Sequence, residues 1–475
     1  MHGFRQTQTA MAARSIARGG PVLRYETPHL GPPWSHPFEL PVYQAVVGAA
    51  SAALHTPLEQ TGRVVSLLSF YAALAVGFAF LRNLRVSALH AALFPALALL
   101  SPLYIFWSRT FLIESTAVLL GALFLLFCAR LARDDRRADY ALAGLAGILG
   151  ATVKPTTFFG FAIAALFVLA PRSFPFLRTQ EAARRTARNA IVVFGLPFVC
   201  TLLWTHWADA VKAENPLASQ LIATNVRTWY LGTLAQRFSA ETWATLVLDI
   251  VPDAVGTAAV ALASLLLLPF VSRPRARQVG VCWLCFLAPF VVFTNLHLVH
   301  AYYPYANGLF LVAAVALAAV GLLERGGRLA TAAAATLLCV AAAYEVARYR
   351  SVYATVQGMF DPIQIAEQGR RIAERTQPQE ILVVFGVRGS PELAYYADRR
   401  SLVVPPSVEA VPPDPAFQKA LRSLQGAQVA LVLCGTARAQ VRTIVPAVFP
   451  ELGWKGAVAK PASDPLDCVL VRPRG

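Results

Sequence analysis

The feature that most constrains this chain is a succession of apolar stretches, many of them near the length of a membrane crossing, joined by short basic loops. A bilayer core of roughly 30 Å is spanned by about 20 apolar residues in a helix. Inside that core every backbone N–H and C=O must be satisfied by the segment itself, which leaves helices or a closed barrel. The apolar runs lie near 62–81, 87–107, 112–129, 140–154, 156–171, 190–206, 248–271, 279–297, 305–323 and 329–345, which predicts a bundle of about ten helices, some of them short. With 56% hydrophobic and only 14% charged residues and a mean hydropathy of +0.53, the composition is that of a polytopic membrane protein.

A net charge of +16 suits a nucleic-acid binder, but its distribution excludes one. Sixteen arginines sit in the loops after the first, third, fifth, seventh and ninth runs, from Arg82 and Arg85 to Arg325 and Arg328. The alternate loops carry only five cations: Arg109, Lys154, Lys212, Arg227 and Arg237. The basic loops are therefore expected in the cytoplasm. Residues 1–61, the loops at 108–111, 207–247 and 298–304, and the tail then face outward. An outward first loop ordinarily follows a span, so a further span is expected ahead of Met1.

Three regions follow: a first outer loop with interfacial helices (1–61), the transmembrane bundle (62–345) and a soluble α/β domain (346–475). In the loop, residues 4–18 read as a helix stopped by Gly19-Gly20. A second helix from Pro41 to about His55 carries Tyr43, Val46, Val47 and Leu54 on an expected apolar side. Five prolines between Pro28 and Pro41 hold the chain between them in a shaped, non-helical loop. In the tail, strands are expected at 381–385, 401–404, 429–433 and 468–471, with helices at 361–375, 391–399, 414–424 and 436–444 between them. Gly386 and Gly389 lack the spacing of a dinucleotide fingerprint and read as a strand-to-helix turn. Of seven cysteines, Cys282 and Cys285 lie in an apolar run as small hydrophobes, and Cys434 and Cys468 are in the tail with their pairing open.

The polar groups capable of chemistry lie on the outward side. His2, Arg5, Gln6, Trp34, Glu39 and Tyr43 belong to the first loop. Arg109 and Glu114 stand where one run ends and the next begins. An ionisable side chain such as Glu114 at the edge of an apolar run is a candidate functional group, against the alternative of a carboxylate favoured by the helix N-terminus. Lys154 either snorkels to the interface or binds an anion. Trp229, Arg237, His300, Tyr302 and Tyr303 complete the set. The aromatics serve either as an interfacial belt or as a grip on a sugar or phosphate. Carboxylates, cations and aromatics on one membrane face suit transfer of a sugar from a phospholipid carrier. Cations neutralise the departing phosphate, and a carboxylate takes the proton of the attacking hydroxyl.

The segments His2-Gly-Phe-Arg-Gln-Thr-Gln-Thr-Ala, Gly31-Pro-Pro-Trp, Pro37-Phe-Glu-Leu-Pro-Val-Tyr-Gln, Ser108-Arg-Thr-Phe-Leu-Ile-Glu-Ser, Val153-Lys-Pro and Val299-His-Ala-Tyr-Tyr, together with Trp229…Arg237 and Pro391-Glu-Leu-Ala-Tyr-Tyr, occur in that set. The set resembles the bacterial GT-C glycosyltransferases of the dolichyl-phosphate-mannose protein mannosyltransferase type (family 39-like), grouped with the aminoarabinose transferases of lipid A. The resemblance implies an inverting transferase in the bacterial plasma membrane. It implies a polyprenyl-phosphate sugar as donor, a protein, lipid or glycan acceptor, and a site on the extracytoplasmic face. Residue by residue, Glu39 matches the first-loop glutamate, and Glu114 matches an acidic residue that is commonly aspartate. Arg5, Arg109, Lys154 and Arg237 are the phosphate candidates. Gln6, Trp34, Tyr43, Trp229, His300, Tyr302 and Tyr303 are the substrate candidates. Many members carry an essential first-loop aspartate near the position of His2, whereas no acidic residue precedes Glu26 here. The base is then His2, Glu39 or an aspartate upstream, with Glu39 preferred and Glu114 expected to orient Arg109, a divalent metal or the acceptor. Arg5, Glu39, Glu114 and His300 are expected to line one outward cavity. A lipid or glycan transporter and an inactive membrane scaffold are the rival classes; a transporter should show repeated halves and broken helices around midplane polar groups.

Overall fold

The computed structural model describes residues 3–173, 179–359, 362–404, 414–435, 437, 440–454, 457–460 and 468–473. The chain divides into two compact units, one of Met1–Glu59, Thr205–Val226 and Phe360–Gly475, the other of Gln60–Trp204 and Arg227–Met359.

Among the described residues, six helices are long and apolar enough to cross a membrane: Leu58–Asn83, Glu114–Asp134, Gln180–Ala213, Arg273–Val292, Pro304–Arg325 and Arg328–Gly358. A seventh is added if Ala240–Val255 and Ala258–Leu266, bent by 84°, form one span. The protein is therefore multi-pass. Pro304–Arg325 is buried over nearly its whole length. Its alanines and glycines let neighbouring backbones approach closely.

Two expected runs are not continuous. The 87–107 run breaks into Ala88–Ala91, Leu93–Leu100 and Pro102–Trp107; at the second break Ser101 is extended (ψ 125°), the conformation that Pro102 favours before it. The 248–271 run breaks at Gly256, whose φ of +82° suits only glycine, and where a Cβ would stand 2.6 Å from the Glu345 nitrogen. Thr257 then caps the next helix by accepting from the Ala259 N–H. Segment 207–247, expected as a loop, is largely helical, through the end of Leu196–Ala213 and through Arg227–Leu231, Leu234–Phe238 and Ala240–Thr245. Arg137–Val153 and Pro155–Ser173 are separate helices with Lys154 at the break.

The other unit is built on a five-stranded sheet of β1 (Ile381–Phe385), β2 (Ser401–Val403), β3 (Val429–Cys434), β4 (Ala457–Lys460) and β5 (Cys468–Pro473), in the order β2-β1-β3-β5-β4. The pairs β2/β1 and β1/β3 are parallel, and β3/β5 and β5/β4 are antiparallel. Its helices are Pro362–Arg375, Glu392–Ala397, Pro415–Arg422 and Val441–Leu452. Strand β4 was not legible, since Ala-Val-Ala-Lys carries little of the β-branched signature. Cys434 faces Cys468 across the β3/β5 ladder and is disulfide-bonded to it.

The first loop belongs to this unit. Leu30 and Leu217 pack into the same core as Val383, Phe385, Phe417 and Leu431. Asn215 joins the segments: its amide donates to the carbonyls of Leu30, Gly31 and Pro33, while its Oδ1 accepts from the N–H groups of Leu217 and Ala218. Helix Gly3–Ala17 packs on Val42–Leu54 and covers Tyr43, Gln44, Val47 and Gly48. Val46 and Leu54, expected on the buried side, are exposed. Val46 is rotated away from the contact stripe and Leu54 lies at the helix end.

Candidate active site

Two arrangements of the sequence candidates stand out, one in each unit. In the membrane unit, Pro155 disfavours the helical conformation at the preceding residue. Lys154 adopts φ −157° and ψ 89° between two helices, which frees its side chain from either helix face. Glu114 is the first residue of Glu114–Asp134, where the helix dipole favours a negative charge. The Lys154 ammonium is hydrogen-bonded to Glu114 Oε2. Lys154 is 7% and Glu114 3% exposed, so this is a buried ion pair. The same ammonium stands 4.3 Å from the Tyr303 ring and 5.3 Å from that of Tyr302, within cation–π range. His300 lies 5.5 Å from Tyr303, close to parallel, and 5.2 Å from Tyr302; Trp229 meets His300 edge-on at 6.0 Å. Glu114, Lys154, Trp229, His300, Tyr302 and Tyr303 thus form one connected cluster.

Arg109 is not part of that ion pair. Its guanidinium donates to the Tyr349 hydroxyl at 3.2 Å, so the expectation that Glu114 orients Arg109 gives way to a Glu114–Lys154 pair. Arg237 donates to the backbone carbonyls of Leu231, Val291 and Val292. Those bonds tie the Leu234–Phe238 turn to the end of Arg273–Val292.

In the other unit, Arg5 on Gly3–Ala17 donates to Glu39 Oε2 at 2.6 Å. Gln44 donates to Oε1 of the same carboxylate at 2.8 Å. Tyr25, fully buried, fixes the loop by donating to the Glu39 carbonyl and accepting from the Phe38 N–H. Glu39 is 8% exposed. Arg5 also reaches Gln8, whose amide contacts His29 Nε2, and His29 Nδ1 lies 3.0 Å from the Thr27 carbonyl. That carbonyl can only accept, so Nδ1 carries the proton and Nε2 accepts from Gln8. Burial pushes the His29 pKa down from 6.5 to about 4. His36, whose ring lies 4.8 Å from that of His29, is also pushed well down, first by burial and then by His29 and Lys212. Both are neutral imidazoles at neutral pH.

Gln6 is half-buried on the first helix, and Tyr43 is wholly buried under it. Trp34 lies under the Arg400 guanidinium at 5.4 Å. It lines a cavity of about 600 Å³ with Arg14, Arg18, Tyr395 and Asp398. His2 lies outside the described residues. Sequence reasoning named both carboxylates and both cations of the two ion pairs, but not the pairings. It missed Gln8, Gln44, His29 and His36, whose only signal was several polar residues in a short segment. Among the described residues, no three His, Cys, Asp or Glu side chains are grouped to hold a metal ion. Each candidate carboxylate is already met by a cation, so the donors do not fit a divalent ion.

With this geometry in place, the fold can be compared: the chain shares it with two solved structures. It is similar to ArnT from Cupriavidus metallidurans bound to undecaprenyl phosphate, with a TM-score of 0.61 and 14% identity over 98% of this chain and 93% of that one. It is also similar to the archaeal oligosaccharyltransferase AglB from Archaeoglobus fulgidus, solved with an inhibitory peptide and a dolichol-phosphate, at TM-score 0.53 and 10% identity over 98% of this chain and 71% of that one. No family model matches the sequence, and no curated protein is significantly similar to it.

Proposed function

We propose that this protein is an inverting membrane glycosyltransferase. It moves a sugar from a polyprenyl-phosphate donor to a hydroxyl of a protein, lipid or glycan acceptor on the extracytoplasmic face of the bacterial plasma membrane. The observation that carries the reading is the buried Glu114–Lys154 pair with its His300, Tyr302 and Tyr303 neighbours, on a fold shared with a protein solved with undecaprenyl phosphate. In this reading the acceptor oxygen attacks the anomeric carbon from the face opposite the phosphate. The C–O bond to the phosphate breaks, and its electron pair leaves with the polyprenyl phosphate. Lys154, held by Glu114, meets the charge that develops there. A carboxylate takes the acceptor proton; Glu39, oriented within its own unit by Arg5 and Gln44, is the candidate for that role. Aromatic faces of Trp229, His300, Tyr302 and Tyr303 pack against the sugar.

The outward orientation is supported by the cation asymmetry of the loops. It is supported independently by the Cys434–Cys468 disulfide, since disulfides persist in oxidising compartments. A reporter fused at Gly475 should behave as extracytoplasmic, and a cytoplasmic signal would overturn the topology. The activity is tested by turnover of a polyprenyl-phosphate sugar by Glu39→Gln, Glu114→Gln and Lys154→Gln. A lost general base should cost about 10²–10⁴ in rate. Normal turnover by folded Glu39→Gln, with Glu114→Gln dead, would move the base to Glu114.

A further inference from the structure

The membrane unit contains a cavity of about 700 Å³ that involves none of the residues assigned to sugar transfer. Its walls are apolar: Phe94, Leu125, Phe161, Leu309 and Phe310 are among them. Its charged rim is of one sign, Arg85, Arg133, Arg273 and Arg277, and among the described residues no Asp or Glu lines it. Arg133 donates to Asn83 and to Asp134. Arg85, Arg273 and Arg277 are exposed, and among the described residues none of the three has an acidic partner. Arg85 takes the left-handed conformation just after Leu58–Asn83, with φ 63°. Helix Arg273–Val292 begins at the same rim, with Arg273, Pro274 and Arg277 among the lining residues.

The dimensions identify what fits. From Ala73 to Asn83 the lining helix rises about 15 Å, half of the roughly 30 Å hydrocarbon core. The volume is within the about 300–1,000 Å³ usual for small-molecule sites. Arg133 closes the helix that begins with Glu114, and nineteen residues of helix set the two ends about 28 Å apart. The cavity is thus at the opposite end of that helix from the Glu114–Lys154 pair.

We infer that this cavity binds an anionic glycerophospholipid from the leaflet at the arginine-bearing ends of the helices. One acyl chain occupies the apolar cavity, and the phosphodiester sits on Arg85, Arg273 and Arg277. The opposite signs of rim and headgroup, and a depth of one leaflet, select this occupant over a neutral lipid. The inference does not depend on sugar transfer.

The full chain, purified in detergent, is titrated with phosphatidylglycerol, phosphatidylcholine or undecaprenyl phosphate and followed by native mass spectrometry. One phosphatidylglycerol is expected to bind at least about tenfold more tightly than phosphatidylcholine, since each arginine at an anionic headgroup is worth about fivefold. Arg273→Gln with Arg277→Gln should weaken it about 25-fold on the same scale, and Ala313→Phe should exclude it by filling the cavity. Equal binding of the two glycerophospholipids, or arginine variants that bind normally, would overturn the proposal. So would displacement of phosphatidylglycerol by equimolar undecaprenyl phosphate. The arginine variants change exposed side chains and decide the matter if Ala313→Phe does not fold.

Discussion

Removing the lysine of the buried ion pair should be worse than removing the pair. In Lys154→Met, the Glu114 carboxylate loses its hydrogen-bonded cation at a site where the two side chains are 9% and 3% exposed. Breaking such a pair from one side costs about 3–5 kcal/mol, because a buried charge is left uncompensated. Loss of the Tyr302 and Tyr303 cation–π contacts adds about 1 kcal/mol. Replacing both partners, in Lys154→Met with Glu114→Gln, removes the unpaired charge and should return stability to within about 2 kcal/mol of the parent. The assay is denaturant unfolding in detergent of the parent, both single variants and the double, read as a double-mutant cycle. The reasoning fails if Lys154→Met unfolds within about 1 kcal/mol of the parent. It fails equally if the double variant is as unstable as the two singles added together.

Acid should loosen the sheet-containing unit. Its folded form holds His29 at about 4 against 6.5 in the unfolded chain, so stability is complete above 6.5 and is lost as pH falls towards 4. The loss is on the order of 3 kcal/mol for His29, His36 acts in the same direction, and an unfolding midpoint measured against pH should be flatter in His29→Asn. Arg5→Gln removes a charge-assisted bond to Glu39 and should cost about 1.5–3 kcal/mol of stability, read by the same unfolding assay. The Cys434–Cys468 bond closes a separation of 34 residues. Its removal by Cys468→Ser should cost about 4 kcal/mol on the chain-entropy scale, and mass spectrometry after alkylation should find both thiols protected until reduction.

Much of the fold was legible because the bilayer imposes few choices. Runs such as 62–81 and 305–323 correspond to Leu58–Asn83 and Pro304–Arg325 with small end errors. The breaks were harder to read. Gly256 and Ser101 interrupt apolar runs through local backbone geometry that hydropathy does not register. In the tail, short continuous apolar runs marked β1, β2, β3 and β5 as buried strands, whereas β4 is held by pairing with β5 rather than by its own residues. At the site, single charges in apolar context pointed to Glu114 and Lys154. Their pairing across 40 residues is a tertiary fact. Gln44 and His29 were overlooked because an amide or imidazole in a short polar segment looks the same in sequence whether it is buried or exposed.

Sugar transfer is followed in a bilayer. The full chain is reconstituted in liposomes with a polyprenyl-phosphate donor carrying a labelled sugar, and free polyprenyl phosphate and sugar-labelled acceptor are quantified together. The account predicts one polyprenyl phosphate released per sugar transferred, with turnover reduced about 10²–10⁴-fold by Glu39→Gln. Intact donor moving between leaflets at the same rate in the parent and in Glu39→Gln, with no free polyprenyl phosphate formed, would contradict it and identify a transporter.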